Sequence, residues 1–307
     1  MEKIVVVLPA YNEALTIAGT LRDFHLHLPE AFLVVVDNNS SDKTSDIART
    51  TLCELDARGL VLQERQQGKG FAVRRAFKSV DAEIYVMSDA DETYPASQAP
   101  ALIRILQEQR ADMVVGDRHS SGGYKQENKR ALHYIGNRLV SFLVNWLFRA
   151  SLVDIMSGFR VFSRRFVANY PILVDGFQLE TDMTLHALDK RMTIVEVPID
   201  YKDRPEGSES KLNTVSDGTR VLFVILQLLR YYRPMLFFGI IALVFCVLGL
   251  LAGVLPILDY VSDGYVYHLP LAILATGLEI FALLSLAIAL ILDSISYSNK
   301  LKFEKDL

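Results

Sequence analysis

The sequence predicts an α/β domain built on a mostly parallel sheet, followed by interfacial helical segments and a two-helix transmembrane hairpin. Three observations carry this. Short β-rich runs alternate with stretches of helical spacing from Lys3 to Val115, the pattern of a layered α/β sheet. The runs are continuously apolar, which suits strands covered on both faces. Charged residues fill the first two thirds of the 307-residue chain and nearly vanish between Met235 and Leu292.

The elements read as follows. Strands are expected at Lys3–Leu8, Phe32–Val36, Leu60–Gln63, Glu83–Met87 and Asp112–Val115. Helices are expected between them at Ala14–His27, Asp42–Thr51, Gly70–Lys78 and Pro100–Gln109. Three of the strands run into polar clusters: Pro9-Ala10-Tyr11-Asn12-Glu13, Asp37-Asn38-Asn39-Ser40-Ser41-Asp42 and Ser88-Asp89-Ala90-Asp91. Open α/β sheets bind ligands beyond the carboxyl ends of their strands, so all three clusters are expected around one crevice.

Met235–Leu258 carries no charge, and Leu269–Leu292 carries one, Glu279. About 20 apolar residues cross a bilayer as a helix, so each run is long enough. Asp259 and Asp263 are the only charges of the intervening loop, whereas Arg230, Arg233, Lys300, Lys302 and Lys305 flank the spans. The positive-inside rule then puts both flanks, and the preceding domain, in the cytoplasm. A carboxyl in mid-span, as at Glu279, is costly and marks either a functional group or a helix contact. The stripe Val221, Leu222, Ile225, Leu228 and Leu229 suits a helix lying in the membrane interface. A similar stripe, Leu139, Phe142, Leu143, Trp146 and Leu147, fits interfacial contact and core packing equally well.

The net charge of −4 excludes a general nucleic-acid binder, so an anionic ligand must be held by local groups. The two cysteines, Cys53 and Cys246, form neither a disulfide framework nor a zinc site. None of the six histidines stands at metal-ligand spacing, and each is expected at the surface or satisfied in the core. Asp89-Ala90-Asp91 is the strongest chemical signal. Two carboxylates one residue apart at a strand end can share Mg²⁺ or Mn²⁺ with ligand phosphates, and such an ion neutralises a leaving diphosphate.

In order along the chain stand PAYNE (9–13), VDNNSSDKT (36–44), GKG (68–70), SDADETYP (88–95), GDR (116–118), SGFRVF (157–162), GFQLETD (176–182) and RPEGSESK (204–211). This set resembles the family 2 inverting glycosyltransferases, within them the dolichol-phosphate mannose synthase and undecaprenyl-phosphate glycosyltransferase group. The resemblance spans residues 3 to about 233. It implies a GT-A-like, nucleotide-sugar-binding domain over 1–212, an interfacial helix over 213–233, a hairpin over 234–296 and a cytoplasmic basic tail over 297–307. It further implies a UDP- or GDP-linked sugar donor, a dolichyl or undecaprenyl phosphate acceptor, membrane lipid as a partner and Mg²⁺ or Mn²⁺ as cofactor. Self-association through the hairpin stays open, and a bacterial or archaeal plasma membrane is favoured over the endoplasmic reticulum.

Site residues are carried over from that resemblance. Pro9, Tyr11 and Glu13 would line the nucleotide pocket, and Asp37 would bind base or ribose. Lys69 would lie near the nucleotide, Asp89 against ribose or sugar, and Ala90 close to the sugar nucleotide. Asp91 would be the main metal ligand. The family often places Gln two residues beyond it; here Thr93 takes that place, and Glu92 is a second candidate ligand. Arg118 and Arg130 would sit near the acceptor phosphate, and Arg204 and Lys211 would close over the diphosphate from a lid. Glu180 and Asp182 stand where many members keep a catalytic base. A lipid phosphate is already anionic and needs positioning instead, so Glu180 would orient the sugar or a basic side chain, or serve a helix terminus. Two alternatives are a processive polysaccharide synthase, faintly suggested by Gln227-Leu228-Leu229-Arg230-Tyr231, and a non-catalytic membrane scaffold or carrier subunit.

Overall fold

The structure, a computed structural model, describes residues 1–120, 131–172, 174, 179–202, 205, 226–227 and 229–305, with the side chains of 131–138 and 303–305 also left undescribed. Arg130, Arg204 and Lys211 lie outside the described residues, as does most of the interfacial stripe at 221–229. The chain divides into two compact units, Met1–Gly218 and Thr219–Leu307.

The first unit contains strands β1 (Glu2–Ala10), β2 (Phe32–Asp37), β3 (Gly59–Gln63), β4 (Ala82–Met87), β5 (Met113–Asp117), β6 (Arg160–Ser163) and β7 (Ile194–Pro198). Its helices are α1 (Ile17–His27), α2 (Thr44–Glu54), α3 (Lys69–Ser79), α4 (Ala99–Glu108), α5 (Ala131–Phe148), α6 (Arg164–Asn169) and α7 (Leu179–Asp189). One sheet runs β3-β2-β1-β4-β6-β5-β7. Four pairings are parallel, and β6 is antiparallel to both β4 and β5.

Side chains alternate across a strand, and both faces here are covered. Val6, Leu8, Leu33, Val35, Ile84 and Val86 join a core with Ile17, Leu21 and Phe24 of α1 and Leu102 and Leu106 of α4. On the other set of positions, Phe162 meets Phe77 of α3 at 6.0 Å and stacks on Phe166 of α6 at 4.8 Å. This double burial is why the strands read as unbroken apolar runs. Each fully buried Val or Leu contributes about 2 kcal/mol of burial free energy.

Chain order reverses beyond β1, with β2 on one side and β4 on the other, a topological switch point of the kind at which open α/β sheets bind ligands in a crevice. The residues that turn the chain there share one device. Asn12, Asn39 and Glu92, just beyond β1, β2 and β4, all have left-handed backbone with φ of 52°, 62° and 61°. Asn tolerates that region; Glu does so at a cost, so the β4 turn is held in place by its surroundings.

In the second unit, α8 (Pro234–Asp263) and α9 (Leu269–Lys305) have 30 and 37 residues. At 1.5 Å per residue both exceed the roughly 30 Å of a bilayer core. The helices are longer than the apolar runs. The turn shrinks to 264–268, closed by Gly264 at φ 67°, and the segment read as a tail continues as helix to Lys305. Ala242, Gly249 and Pro256 of α8 and Ala275, Ala282 and Ala289 of α9 are buried at seven-residue spacing. Small residues in that repeat let two helices approach closely, as in membrane helix pairs. Glu279 lies against Gly249: a Cβ there would meet Glu279 Oε1 at 2.6 Å.

Candidate active site

The loops beyond β1 and β2 are laced together. Asn12 N–H donates to Ser40 Oγ at 2.9 Å, and Ser41 N–H donates to Asn12 Oδ1 at 2.8 Å. Glu13 N–H reaches Thr44 Oγ1 at 2.9 Å, and Asn38 N–H reaches the Ala10 carbonyl at 2.8 Å. Asp37 is buried, accepting from Ser40 N–H at 3.0 Å and Ser45 Oγ at 2.8 Å. Its neighbour Asn38 clasps the next loop. Nδ2 donates to the Gln66 carbonyl at 2.6 Å, and Oδ1 accepts from Gly68 N–H at 2.7 Å. That fixes the start of α3, hence Lys69. Sequence reasoning gave Asn38 no role; its place beside Asp37 in the cluster was the only signal.

Thr16 binds the β1 loop to the β4 loop, donating to the Ala90 carbonyl at 2.8 Å with Glu13 Oε2 at 3.1 Å. Ala90 is buried, and Pro9 lies within β1 paired with Val36. Tyr11 is half-buried just beyond β1. Pro9, Tyr11, Glu13, Asp37, Ala90, Asp89 and Asp91 therefore all lie at or just beyond the carboxyl ends of three adjacent parallel strands.

Asp91 is buried at 4% exposure, and Thr93 donates to its Oδ1 from Oγ1 at 2.6 Å and from N–H at 3.2 Å. Thr93 thus stands directly behind Asp91. Glu92 turns the other way, its carboxylate filling the space where a Cβ on Gly19 of α1 would sit. Burial, then Asp23 and Asp91, raise the pKa of Glu92. A hard cation fits this donor set: a buried carboxylate, braced by a hydroxyl, one residue from a second carboxylate. Among the described residues, no group of three or more His, Cys, Asp or Glu side chains forms a closed cage.

Lys69 is the electrostatic centre. Its Nζ lies 2.5 Å from Asp89 Oδ1 and 2.6 Å from Glu180 Oε1. Burial pulls the ammonium's pKa down, but the carboxylates of Asp89 and Glu180 outweigh it and hold the group well above an ordinary lysine. Gly158 makes the arrangement possible, since a Cβ there would lie 2.8 Å from Asp89 Oδ2 and 3.2 Å from Lys69 Nζ. Tyr94 Oη accepts from Gly158 N–H at 3.0 Å, and its ring stacks on Phe159. Glu180 and Asp182 part company: Asp182 accepts from Tyr170 Oη at 2.7 Å, away from Lys69.

Arg118 is buried, with its fork on Asp154: Nε to Oδ2 at 2.7 Å and Nη2 to Oδ1 at 2.9 Å. Its guanidinium also lies 5.6 Å from the Tyr201 ring centroid. Burial would raise the Asp154 pKa, but Arg118 and, less strongly, His119 hold it below the usual carboxylate range. The Asp154 loop hangs on Glu196, which accepts from Val153 and Asp154 N–H at 2.7 and 2.8 Å. Neither partner was legible in the sequence. His186 also differs from expectation: it is buried with no hydrogen-bond partner for Nε2 among the described residues, and burial and Lys190 push its pKa down to about 4.

A carboxylate pair and a lysine brought together beyond the strand ends at the switch point of an α/β sheet are the features of an enzyme that binds its ligand there. Residues 5–170 match the model of Glycosyl transferase family 2, and the chain belongs to that family. It is a glycosyltransferase. Relatives include Glycosyltransferase AglJ of Haloferax volcanii, 30% identical over 78% of this chain and 76% of that one. The Undecaprenyl-phosphate mannosyltransferase of Micrococcus luteus is 28% identical over 72% of this chain and 92% of its own. The Dolichol-phosphate mannosyltransferase of Mycosarcoma maydis is 28% identical over 83% of this chain and 87% of its own. Glucosyl-3-phosphoglycerate synthase of Mycobacterium tuberculosis, crystallised with Mn²⁺, UDP and phosphoglyceric acid, shares the fold with a TM-score of 0.56. That structure is 22% identical over 74% of this chain and 78% of its own.

Proposed function

We propose that this chain transfers a sugar from a UDP- or GDP-linked donor to a polyprenyl phosphate, with inversion, at the cytoplasmic face of a membrane. One observation carries the reading. Asp89, Asp91 and Lys69 converge at the switch point of the sheet, in a chain that also carries two helices long and apolar enough to span a bilayer. The names of the Micrococcus and Mycosarcoma relatives support the acceptor class.

In this reading the crevice between β1, β2 and β4 takes the nucleotide, with Tyr11 and Asp37 at the base and ribose. Lys69, Asp89 and Glu180 face the sugar. An oxygen of the lipid phosphate attacks the anomeric carbon opposite the diphosphate; the new C–O bond forms as the bond to the diphosphate breaks. That oxygen is already anionic, so no side chain removes a proton, and Glu180 acts by holding Lys69 and the sugar. Mg²⁺ or Mn²⁺ held at Asp91, with Asp89, Thr93 and Glu92 nearby, would neutralise charge on the departing diphosphate. Arg204 and Lys211 are assigned to that same charge. Arg130 is assigned to the acceptor phosphate, and Arg118 lends its charge there from the Asp154 pair. The division into a GT-A-like domain over 1–212, an interfacial helix over 213–233 and a hairpin from 234 belongs to the same proposal.

The test is incubation of the purified full-length protein with radiolabelled nucleotide-sugars, polyprenyl phosphate and Mn²⁺ or Mg²⁺, followed by organic extraction. Label should enter the organic phase for one donor, and Asp91→Asn should abolish this while melting like the wild type. Full activity in Asp91→Asn would remove the metal role, and no extractable label with any donor would defeat the reading.

A further inference from the structure

Arg160 is the largest fully buried side chain among the described residues, with 0% exposure. Buried charges are ordinarily paired, because an isolated ion in a protein interior loses its hydration. Yet among the described residues no carboxylate comes within ion-pair distance of this guanidinium. Nε donates to the Ser157 carbonyl at 2.8 Å, and Nη2 to the Ile155 carbonyl at 2.6 Å. Nη1 reaches Thr184 Oγ1 at 2.9 Å and Met113 Sδ at 3.3 Å. In the sheet Arg160 stands opposite Met87 of β4 and Val115 of β5, one residue before the turn that begins at Ser88.

A chain of contacts leads from there to the crevice. The Thr184 hydroxyl donates to the Glu180 carbonyl at 3.0 Å; Glu180 holds Lys69, and Lys69 holds Asp89. Charge alternates along the path: Arg160, Glu180, Lys69, Asp89. Burial draws the Arg160 pKa down, and Glu180 and Asp154 push it back up from beyond contact distance, so these carboxylates sense the cation. The same guanidinium fixes the 155–157 turn that delivers Gly158 against Asp89.

We propose that Arg160 is a positioning residue for the donor crevice: it locks the 155–157 turn and α7 together so that Glu180, and through it the Lys69 ammonium, is held at Asp89. Its consequence for transfer rests on reading the crevice as the sugar-nucleotide site; the positioning itself does not.

The experiment uses the full-length protein in detergent. A short pulse of acetic anhydride is followed by mass spectrometry, giving Lys69 acetylation relative to exposed Lys43. An ammonium held by two carboxylates acetylates slowly. Arg160→Met and, as a positive control, Glu180→Gln should raise the Lys69 ratio about tenfold, the effect of losing one charge-assisted hydrogen bond that shields the amine from the reagent. Arg160→Lys, which keeps the charge but can hold only some of these acceptors, should fall between wild type and Arg160→Met. Thr184→Val, which keeps the volume and cuts the link, should move in the same direction as Arg160→Met. Transfer, as kcat/KM for the nucleotide-sugar, should fall about tenfold in Arg160→Met and recover in part in Arg160→Lys. Should Arg160→Met not fold, the Thr184→Val and Arg160→Lys results decide. An unchanged Lys69 ratio in Thr184→Val, or Arg160→Lys acetylating as fast as Glu180→Gln, overturns the proposal. Ratios that move as expected in a protein that glycosylates no polyprenyl phosphate would sink the functional reading and leave the positioning role standing.

Discussion

Replacing Asp154 by Asn tests how Arg118 is held. The pair it breaks is buried on both sides, with side-chain exposures of 10% for Arg118 and 1% for Asp154. Removing one partner of a buried pair costs about 3–5 kcal/mol, because the remaining charge loses a counter-ion in a site shielded from water. Asn retains the shape and one acceptor, which places the loss at about 3 kcal/mol. In a unit of this size each kcal/mol is worth about 2–4 °C, so Tm should fall by about 6–12 °C. Circular dichroism of the full-length protein in detergent reads it. The pH dependence has a definite sign. Arg118 holds the folded-state pKa of Asp154 below its ordinary value. The pair's contribution is therefore complete above the unfolded value of about 3.9 and is lost as pH falls through the lower folded one. The gap between wild type and variant should stay constant from pH 7 to pH 5 and close only in stronger acid. A gap below about 1 kcal/mol at pH 7 would refute the reasoning. One that already closes between pH 7 and pH 5 would do so as well, because Asp154, held below the usual carboxylate range by Arg118, keeps its charge there.

Two further substitutions probe the crevice. Gly158→Ala puts a methyl 2.8 Å from Asp89 Oδ2 and 3.2 Å from Lys69 Nζ, and the displacement should cost about 10–100-fold in kcat with Tm little changed; wild-type turnover would show that the cluster yields freely. Asn38→Ala unfastens the loop that starts α3, and nucleoside diphosphate affinity by calorimetry should weaken by about 1–2 kcal/mol; unchanged affinity would mean that Lys69 finds its place without the clasp.

Much of the first half of the fold is written in local pattern. The runs at Phe32–Val36 and Glu83–Met87 became β2 and β4 with shifts of one residue, because double-sided burial leaves an unbroken apolar signature. The three polar clusters met because they terminate strands adjacent in the sheet. What the sequence hid depends on partners far away in the chain. Glu180 lies 111 residues from Lys69, and Asp154 lies 36 from Arg118. Arg160 stood only as one letter of SGFRVF, with no local sign of burial, and β6 inserts antiparallel between β4 and β5 and carries it inside the sheet. Glu92 and Thr93 looked equivalent as ligand candidates; the left-handed turn at Glu92 sends that carboxylate toward α1 and leaves Thr93 behind Asp91.

The charge balance of the crevice bears on the order in which its ligands bind. Lys69 is already shared by Asp89 and Glu180, so its charge is largely taken up within the cluster. Two like charges 4 Å apart repel by about 4 kcal/mol at an effective dielectric of 20. A diphosphate entering beside Asp89 and Asp91 brings like charge to two carboxylates, and a cation arriving with it offsets that repulsion. Asp91 by itself is a poor trap for such an ion, since Mg²⁺ and Mn²⁺ complete their shells with phosphate oxygens and water rather than with one or two carboxylates alone. Metal and nucleotide should therefore bind as a pair. Mn²⁺ titrated by electron paramagnetic resonance should bind at least tenfold more tightly with a nucleoside diphosphate present than without, a coupling of about 1.4 kcal/mol, and the nucleotide should gain the same factor from Mn²⁺. Equal Mn²⁺ affinity in both conditions would show that the carboxylates hold the ion unaided and that repulsion at Asp91 does not govern donor entry.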